Sequence, residues 1–211
     1  VELVREWVDK EVRPVVRDLE HANTYPDDLI EQMRVHALEI QLSPDLVPIA
    51  SGSDDLLVTL KHEPGEAHDA GTTRVAFVVR GAKVELSRAM PILEHLGLHV
   101  VEERPTQLRG GEPVWIQDFG VLGPDGPLDL DRCGDRVAAA ITAAWRGETE
   151  SDTLNRLVVL TPLAHDRLEV LRAYRRYRQR IGSRFTERYQ NDVIVQHHAI
   201  TEKLVRLFEL R

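Results

Sequence analysis

The sequence predicts an α+β domain, a helix-covered antiparallel sheet, followed by an all-helical segment. Three observations carry this. Between Leu56 and Val121 short apolar runs of strand length alternate with turn residues and one amphipathic stretch. From Arg132 onward the apolar spacing changes to a helical period and stays there. The element order from Leu56 reads β-β-α-β-β-α, and a sheet in that order needs one face covered by its helices.

The elements follow in order. Residues 2–20 place Leu3, Val4, Trp7, Val8, Val12, Val15, Val16 and Leu19 at helical spacing, with Pro14 as a kink. A turn over His21 to Pro26 leads to a second helix carrying Leu29, Ile30 and Met33. Residues 1–42 are thus expected to form an N-terminal helical hairpin. Residues 43–54, rich in Pro, Ser, Gly and Asp, read as a linker. An α+β domain is expected over 55–147 and a helical segment over 148–211.

Within the domain the expected strands are Leu56 to His62 and Thr73 to Arg80, joined by a polar loop. Gly81 turns the chain into a helix over Leu86 to Leu96, with Ser87 as its expected N-cap and Gly97 as its stop. A strand over Leu98 to Arg104 is expected to stop at Pro105. Arg109-Gly110-Gly111 reads as a hairpin turn into the returning strand Pro113 to Val121. Helices are expected over Arg132 to Arg146, Ala164 to Ile181 and Asp192 to Leu210. Leu154 to Leu160 reads as a short helix or strand.

Bulk properties narrow the function. The 211 residues can bury a real core, and 42% hydrophobic with 29% charged residues is ordinary for a globular chain. A net charge of −8 argues against general nucleic-acid or membrane-surface binding. Cys133 is the one cysteine, which fits a reducing cytoplasm. No apolar run approaches the roughly 20 residues that span a bilayer. The charged N-terminus does not read as a signal peptide, and a first residue of Val rather than Met suggests a piece of a larger protein.

The candidate chemistry is sparse. Arg172, Arg175, Arg176, Arg178, Arg180 and Arg184 crowd one helix and its exit, with Tyr174 and Tyr177 among them. They read as a solvated, basic helix face that pairs with acidic surfaces of a larger assembly rather than as a nucleic-acid site. His197 and His198 point about 100° apart on a helix and converge poorly on a metal. Glu102 and Glu103 face opposite ways on a strand, so they cannot act as an acid–base pair; ion pairs with Arg104 or Arg80 are expected. Asp131 to Asp135 lacks the ligand spacing of a calcium loop. Cys133 reads as a structural thiol. Gly81 and Ser87 remain as candidate effector-binding residues. A glycine turn into a helix start can offer N–H groups to a carboxylate, or it can be only a tight connection.

Several spaced motifs carry a resemblance. Val84-Glu85-Leu86-Ser87-Arg88-Ala89-Met90-Pro91-Ile92-Leu93 is followed by Leu96-Gly97-Leu98, Val101-Glu102-Glu103-Arg104-Pro105 and Trp115-Ile116-Gln117-Asp118-Phe119-Gly120. Ala144-Trp145-Arg146-Gly147-Glu148, Leu154-Asn155-Arg156-Leu157-Val158, Leu171-Arg172-Ala173-Tyr174 and Leu204-Val205-Arg206-Leu207-Phe208-Glu209 continue the series. Over about residues 54–211 the chain resembles the regulatory part of the large NAD-specific glutamate dehydrogenases of bacteria. Thr161-Pro162 and His165 depart from that pattern. The element order fits a ferredoxin-like sheet in permuted order, with Leu56 to His62 as its last strand, and the resemblance implies an ACT-like domain and a helical regulatory region. It further implies an amino-acid effector, the remainder of a large subunit and a homo-oligomer as partners, and NAD as cofactor of the parent enzyme but none in this chain. The hydride-transfer machinery of that family lies further toward the C-terminus, so this chain alone is expected to be inactive. Residues 1–34 differ: Val4-Arg5-Glu6-Trp7-Val8, Glu11-Val12-Arg13-Pro14-Val15, Leu19 to Pro26 and Leu29 to Met33 resemble the N-terminal helices of an acyl-CoA dehydrogenase. A flavoenzyme-related fragment and a non-enzymatic interaction module are the alternative readings.

Overall fold

The computed structural model describes residues 56–63, 71–108 and 113–210. The N-terminal hairpin, the linker and the Arg109-Gly110-Gly111 turn lie outside them. Four strands form one sheet: β1 (Leu56–Glu63), β2 (Thr72–Arg80), β3 (His99–Leu108) and β4 (Val114–Leu122). Their order is β1-β2-β4-β3, every neighbouring pair antiparallel. A ferredoxin-like sheet places its fourth strand beside its first and its third between first and second. Taking β2 as the first strand, β1 occupies the place of the fourth. The permuted, ACT-like reading of the sequence is therefore the topology observed.

Alternation sorts the strands onto two faces. One face carries Leu56, Val58, Val75, Phe77, Phe119 and Val121, all buried. Two helices contribute to the same core: α1 (Leu86–His95) and α2 (Leu130–Arg146). On α1 the buried residues Ala89, Ile92, Leu93 and Leu96 recur at i, i+3, i+4 and i+7, the stripe an amphipathic helix needs. On α2 the stripe is Cys133, Val137, Ala140 and Ile141. Phe77 meets Phe119 edge-on at 5.6 Å and Trp145 of α2 at the same distance, which ties sheet to helix.

Helix ends follow local chemistry. The Asp129 carboxylate accepts from the Arg132 N–H at 3.1 Å and caps α2, and Gly147 closes it at φ 72°. The N-cap of α1 is Glu85, not Ser87; Glu85 has the extended backbone of a cap, and Ser87 lies inside the first turn. Pro91 sits within α1 and has no N–H, so the Ser87 carbonyl four residues earlier receives no helical bond. Strand β3 does not stop at Pro105 but runs on to Leu108. Pro105 is tolerated because β3 is an edge strand, bonded only to β4.

The second sheet face holds a buried charge. Arg74 of β2 is 1% exposed. Its guanidinium donates to Asp118 of β4 through Nε at 3.1 Å and to Glu102 of β3 through Nη1 at 2.7 Å. Glu63 lies 3.4 Å from Nη1, and Arg104 bridges Glu63 and Glu102 at 3.0 and 2.8 Å. A bulge between Val100 and Glu102 makes this possible. Strict alternation would put Glu102 on the face of Val100; the extra residue turns it toward Arg74. Hydrogen bonding from Arg104 is the chief reason the Glu102 carboxyl lies below its usual range; desolvation opposes it, and bonding from Arg74 adds to it. Gly120 leaves the room, since a Cβ there would stand 2.8 Å from Arg74 Nη1.

Past α2 the chain is helical. A 3-10 turn (Thr153–Asn155) leads into α3 (Arg156–Leu160), and another (His165–Arg167) leads into α4 (Leu168–Arg180). Helices α5 (Glu187–Gln196) and α6 (His198–Glu209) follow, separated at His197. At Thr161, where the sequence departs from the glutamate dehydrogenase pattern, the hydroxyl donates to the Leu157 carbonyl at 2.6 Å and accepts from Leu163 N–H at 3.2 Å.

Replacing Arg74 with leucine leaves Asp118 buried and unpaired and should cost about 3 kcal/mol in urea denaturation. Adding Asp118→Leu should recover much of that loss, because an apolar pair removes the stranded charge. A double variant no more stable than Arg74→Leu alone would contradict this account.

Candidate functional site

Two places concentrate polar chemistry: a cleft at the end of β2 and an arginine-rich cluster in the helical segment. The cleft is built by the connection from β2 to α1. Gly81 takes φ 81°, a conformation that costs a residue without a Cβ little. Its N–H donates to the Pro113 carbonyl at 2.7 Å, so this donor is already engaged with the neighbouring strand connection. Ser87 is exposed on the first turn of α1. Neither residue lines the cavity of about 660 Å³ at this end of the sheet; Ala82, Lys83, Glu85, Arg88 and Trp145 do.

Arg88 and Trp145 form the ordered wall. The Arg88 guanidinium lies 4.0 Å from the Trp145 ring centroid and donates to the Trp145 carbonyl. Because Trp145 also packs on Phe77, the cation sits at the end of a chain of contacts that begins in the core. Arg80 and Arg146 complete a mostly basic lining, with Glu85 as its acidic member. A carboxylate is the functional group that such a surface attracts.

The second place joins the stretch after α2 to helix α4. Arg172 is 0% exposed. It donates through Nη1 to Glu169 at 2.6 Å and Thr149 at 3.0 Å, and through Nη2 to Asn155 at 2.6 Å, Asp152 at 3.0 Å and the Glu150 carbonyl at 2.9 Å. Arg175, also buried, donates to Asp152 at 2.8 Å and to Asn191 of α5 at 2.9 Å. Arg176 pairs with Glu150. Burial works against the charge on Arg172, but bonding to Asp152 and Glu169 outweighs it and raises the guanidinium pKa. Burial likewise opposes ionisation of Asp152, and the bonds from Arg172 and Arg175 overcome it and hold the carboxyl below its usual range.

This corrects part of the sequence reading. Arg172 and Arg175 are not on a solvated face; they are spent within the chain. Arg178, Arg180 and Arg184 are exposed. Glu102 does pair with Arg104, and Glu103 accepts from Gln117. His197 links α5 to α6 and His198 begins α6; among the described residues no group of three or more His, Cys, Asp or Glu is placed to hold a metal. Cys133 is buried and donates to the Asp129 carbonyl, and burial pushes its thiol up. His95 Nδ1 and Ser151 Oγ share a hydrogen bond of 2.9 Å that fastens α1 to the stretch after α2. Among the described residues no helix is long and apolar enough to cross a membrane.

Comparison with known proteins follows the same division. Residues 57–133 match a family model described as the glutamate dehydrogenase ACT3 domain, and residues 149–211 match one described as glutamate dehydrogenase helical motif 3. The NAD-specific glutamate dehydrogenase of Mycobacterium tuberculosis is 32% identical over 173 residues, 78% of this chain and 10% of that protein. Those of Halomonas elongata and Pseudomonas aeruginosa are 34% identical over 134 residues and 36% over 129, covering 63% and 60% of this chain and 8% of each relative. The chain belongs to the large NAD-specific glutamate dehydrogenase family. It spans no more than 10% of the length of these relatives. In family terms the cleft is lined mainly by residues of the ACT3 match and by the end of α2, while the arginine cluster lies within the helical motif 3 match.

The pKa directions give a pH test of the cluster. Asp152 is depressed in the fold, so its contribution is full above the ordinary aspartate value of about 3.9 and is lost as pH falls through its lower folded value. Asp152→Asn should therefore cost about 2 kcal/mol at pH 7 and pH 5. The gap to the unaltered chain should close as pH falls below the aspartate range. Urea midpoints at pH 7, 5 and 3 measure it, and a gap that widens in acid would contradict the assignment.

Proposed function

We propose that this chain is a regulatory and assembly segment of a cytoplasmic NAD-dependent glutamate dehydrogenase subunit. The parent reaction is oxidative deamination of L-glutamate to 2-oxoglutarate and ammonia. The observation that carries the reading is the succession, on one chain, of a permuted ACT-like sheet and a helical segment, each matching a glutamate dehydrogenase region in order. In this role the segment positions the catalytic domain and joins subunits, and hydride transfer belongs to residues outside it.

The sensing function belongs to the cleft beside Gly81. Gly81 sets the turn, Ser87 stands at the helix start, and Lys83 and Arg88 supply positive charge toward a free amino acid's carboxylate. Trp145 holds Arg88 in place, so little side-chain entropy is lost on binding.

Thermal unfolding against a panel of free amino acids tests the sensing role. An amino acid present at 100 times its dissociation constant should add about 2.7 kcal/mol to stability. Arg88→Ala should abolish that shift while leaving the fold intact, since Arg88 is exposed. A flat panel would remove the sensing function and leave the scaffold role standing. Reduction of NAD by the purified chain with glutamate would overturn the whole reading.

A further inference from the structure

We propose that the groove between α4 and α6 docks an amphipathic helix from elsewhere in the same large subunit, one that carries acidic residues beside its apolar face. This rests on the reading that the chain is part of such a subunit.

The groove is a cavity of about 410 Å³ floored by Leu171, Tyr174, Ile194, Leu204, Val205 and Phe208. Helix α6 turns Thr201 and Val205 inward, yet Leu204 and Leu207 are 56% exposed and Phe208 is 49% exposed. Residues 204, 207 and 208 share one helical stripe, and Tyr174 of α4 meets Phe208 edge-on at 6.2 Å. Isolated exposed apolar residues are ordinary; a contiguous set around a groove marks an interaction surface. A helix laid in such a groove presents apolar anchors at i, i+3, i+4 and i+7.

Charge selects the occupant. The charged side chains lining the groove are Arg175 and Arg178, both basic. Arg175 is committed to Asp152 and Asn191, while Arg178 is exposed, and Arg180 and Arg184 extend the positive charge beyond it. A second copy of this chain docking by the same face would set arginines against arginines, which disfavours self-association there. An acid-flanked helix answers the charge instead. Its source follows from length: the chain covers 10% of the mycobacterial relative, so most of such a subunit lies outside it.

The test installs the photo-crosslinking amino acid p-benzoylphenylalanine at position 204, and separately at 208, in the assembly purified from its host. Position 86 serves as an exposed control. Irradiation and peptide mass spectrometry should join both groove positions, and not the control, to one segment of the parent subunit with apolar residues at helical spacing and Asp or Glu beside them. Arg178→Glu should lower the adduct yield at least tenfold. Adducts to residues 200–210 of a second copy, adducts to lipid, or solvent-quenched probe alone in the intact assembly would each overturn the docking proposal. A chain that purifies with no larger glutamate dehydrogenase polypeptide, joined or bound, would instead overturn the functional reading beneath it.

Discussion

The helical segment depends on holding two buried guanidinium groups among fixed polar partners. Arg172 and Arg175 are buried on α4, and burial alone would drive them out. Asp152, with Glu169 and the polar groups of Thr149, Glu150 and Asn155, makes the arrangement tolerable. The carboxylate that matters most is not on a neighbouring helix but in the stretch just after α2. Helix α4 is therefore fixed to the α+β domain's exit rather than only to its own neighbours. Arg175 extends the tie to α5 through Asn191. Remove the carboxylate and the helices keep their apolar contacts but lose what specifies their placement.

The sheet solves the same problem by another route. Arg74 lies within an apolar strand, and its partners Asp118 and Glu102 come from two other strands. Long-range partners of this kind fix strand register, since a slip of one residue would send the carboxylates to the other face. The β3 bulge is part of the device, because it delivers Glu102 to the correct face. Gly120 is another part, because a side chain there would meet the guanidinium. Three buried arginines, Arg74, Arg172 and Arg175, thus fix the placement of strands and helices in a chain whose net charge is −8.

Much of the architecture was legible in the sequence, and the exceptions share a cause. Period and punctuation located the strands and helices because both are local properties of the chain. Gly81, Gly97, Gly147 and Gly182 take positive φ at turns or helix ends, where the sequence suggested breaks. What was hidden needed knowledge of distant partners. Pro105 looked like a stop, and only its place on an edge strand makes it harmless. Arg172 and Arg175 looked solvated, because no local rule says that Glu150 and Asp152 fold back against them. The acidic spacing at 148, 150 and 152 was the available signal. At the candidate cleft the sequence singled out the turn itself. Charged groups that line the cavity lie just past it, at Lys83 and Arg88, and the ring that backs them lies across the fold, at Trp145.

The cleft and the arginine cluster are closer along the chain than their separate descriptions suggest. Trp145, in the cleft wall, lies in the last turn of α2; Gly147 closes that helix; Thr149 already accepts a bond from Arg172. Both ends of this short stretch are held, one by Phe77 and Arg88, the other by α4. Ser151 adds a third anchor through His95 of α1. A stretch so short and so fastened has little slack. Any displacement of Trp145 has to be absorbed within a few residues or passed on to the carboxylates that hold α4. Between the sheet-end cleft and the helical segment, residues 145–152 form one continuous run of chain that is fastened at both ends.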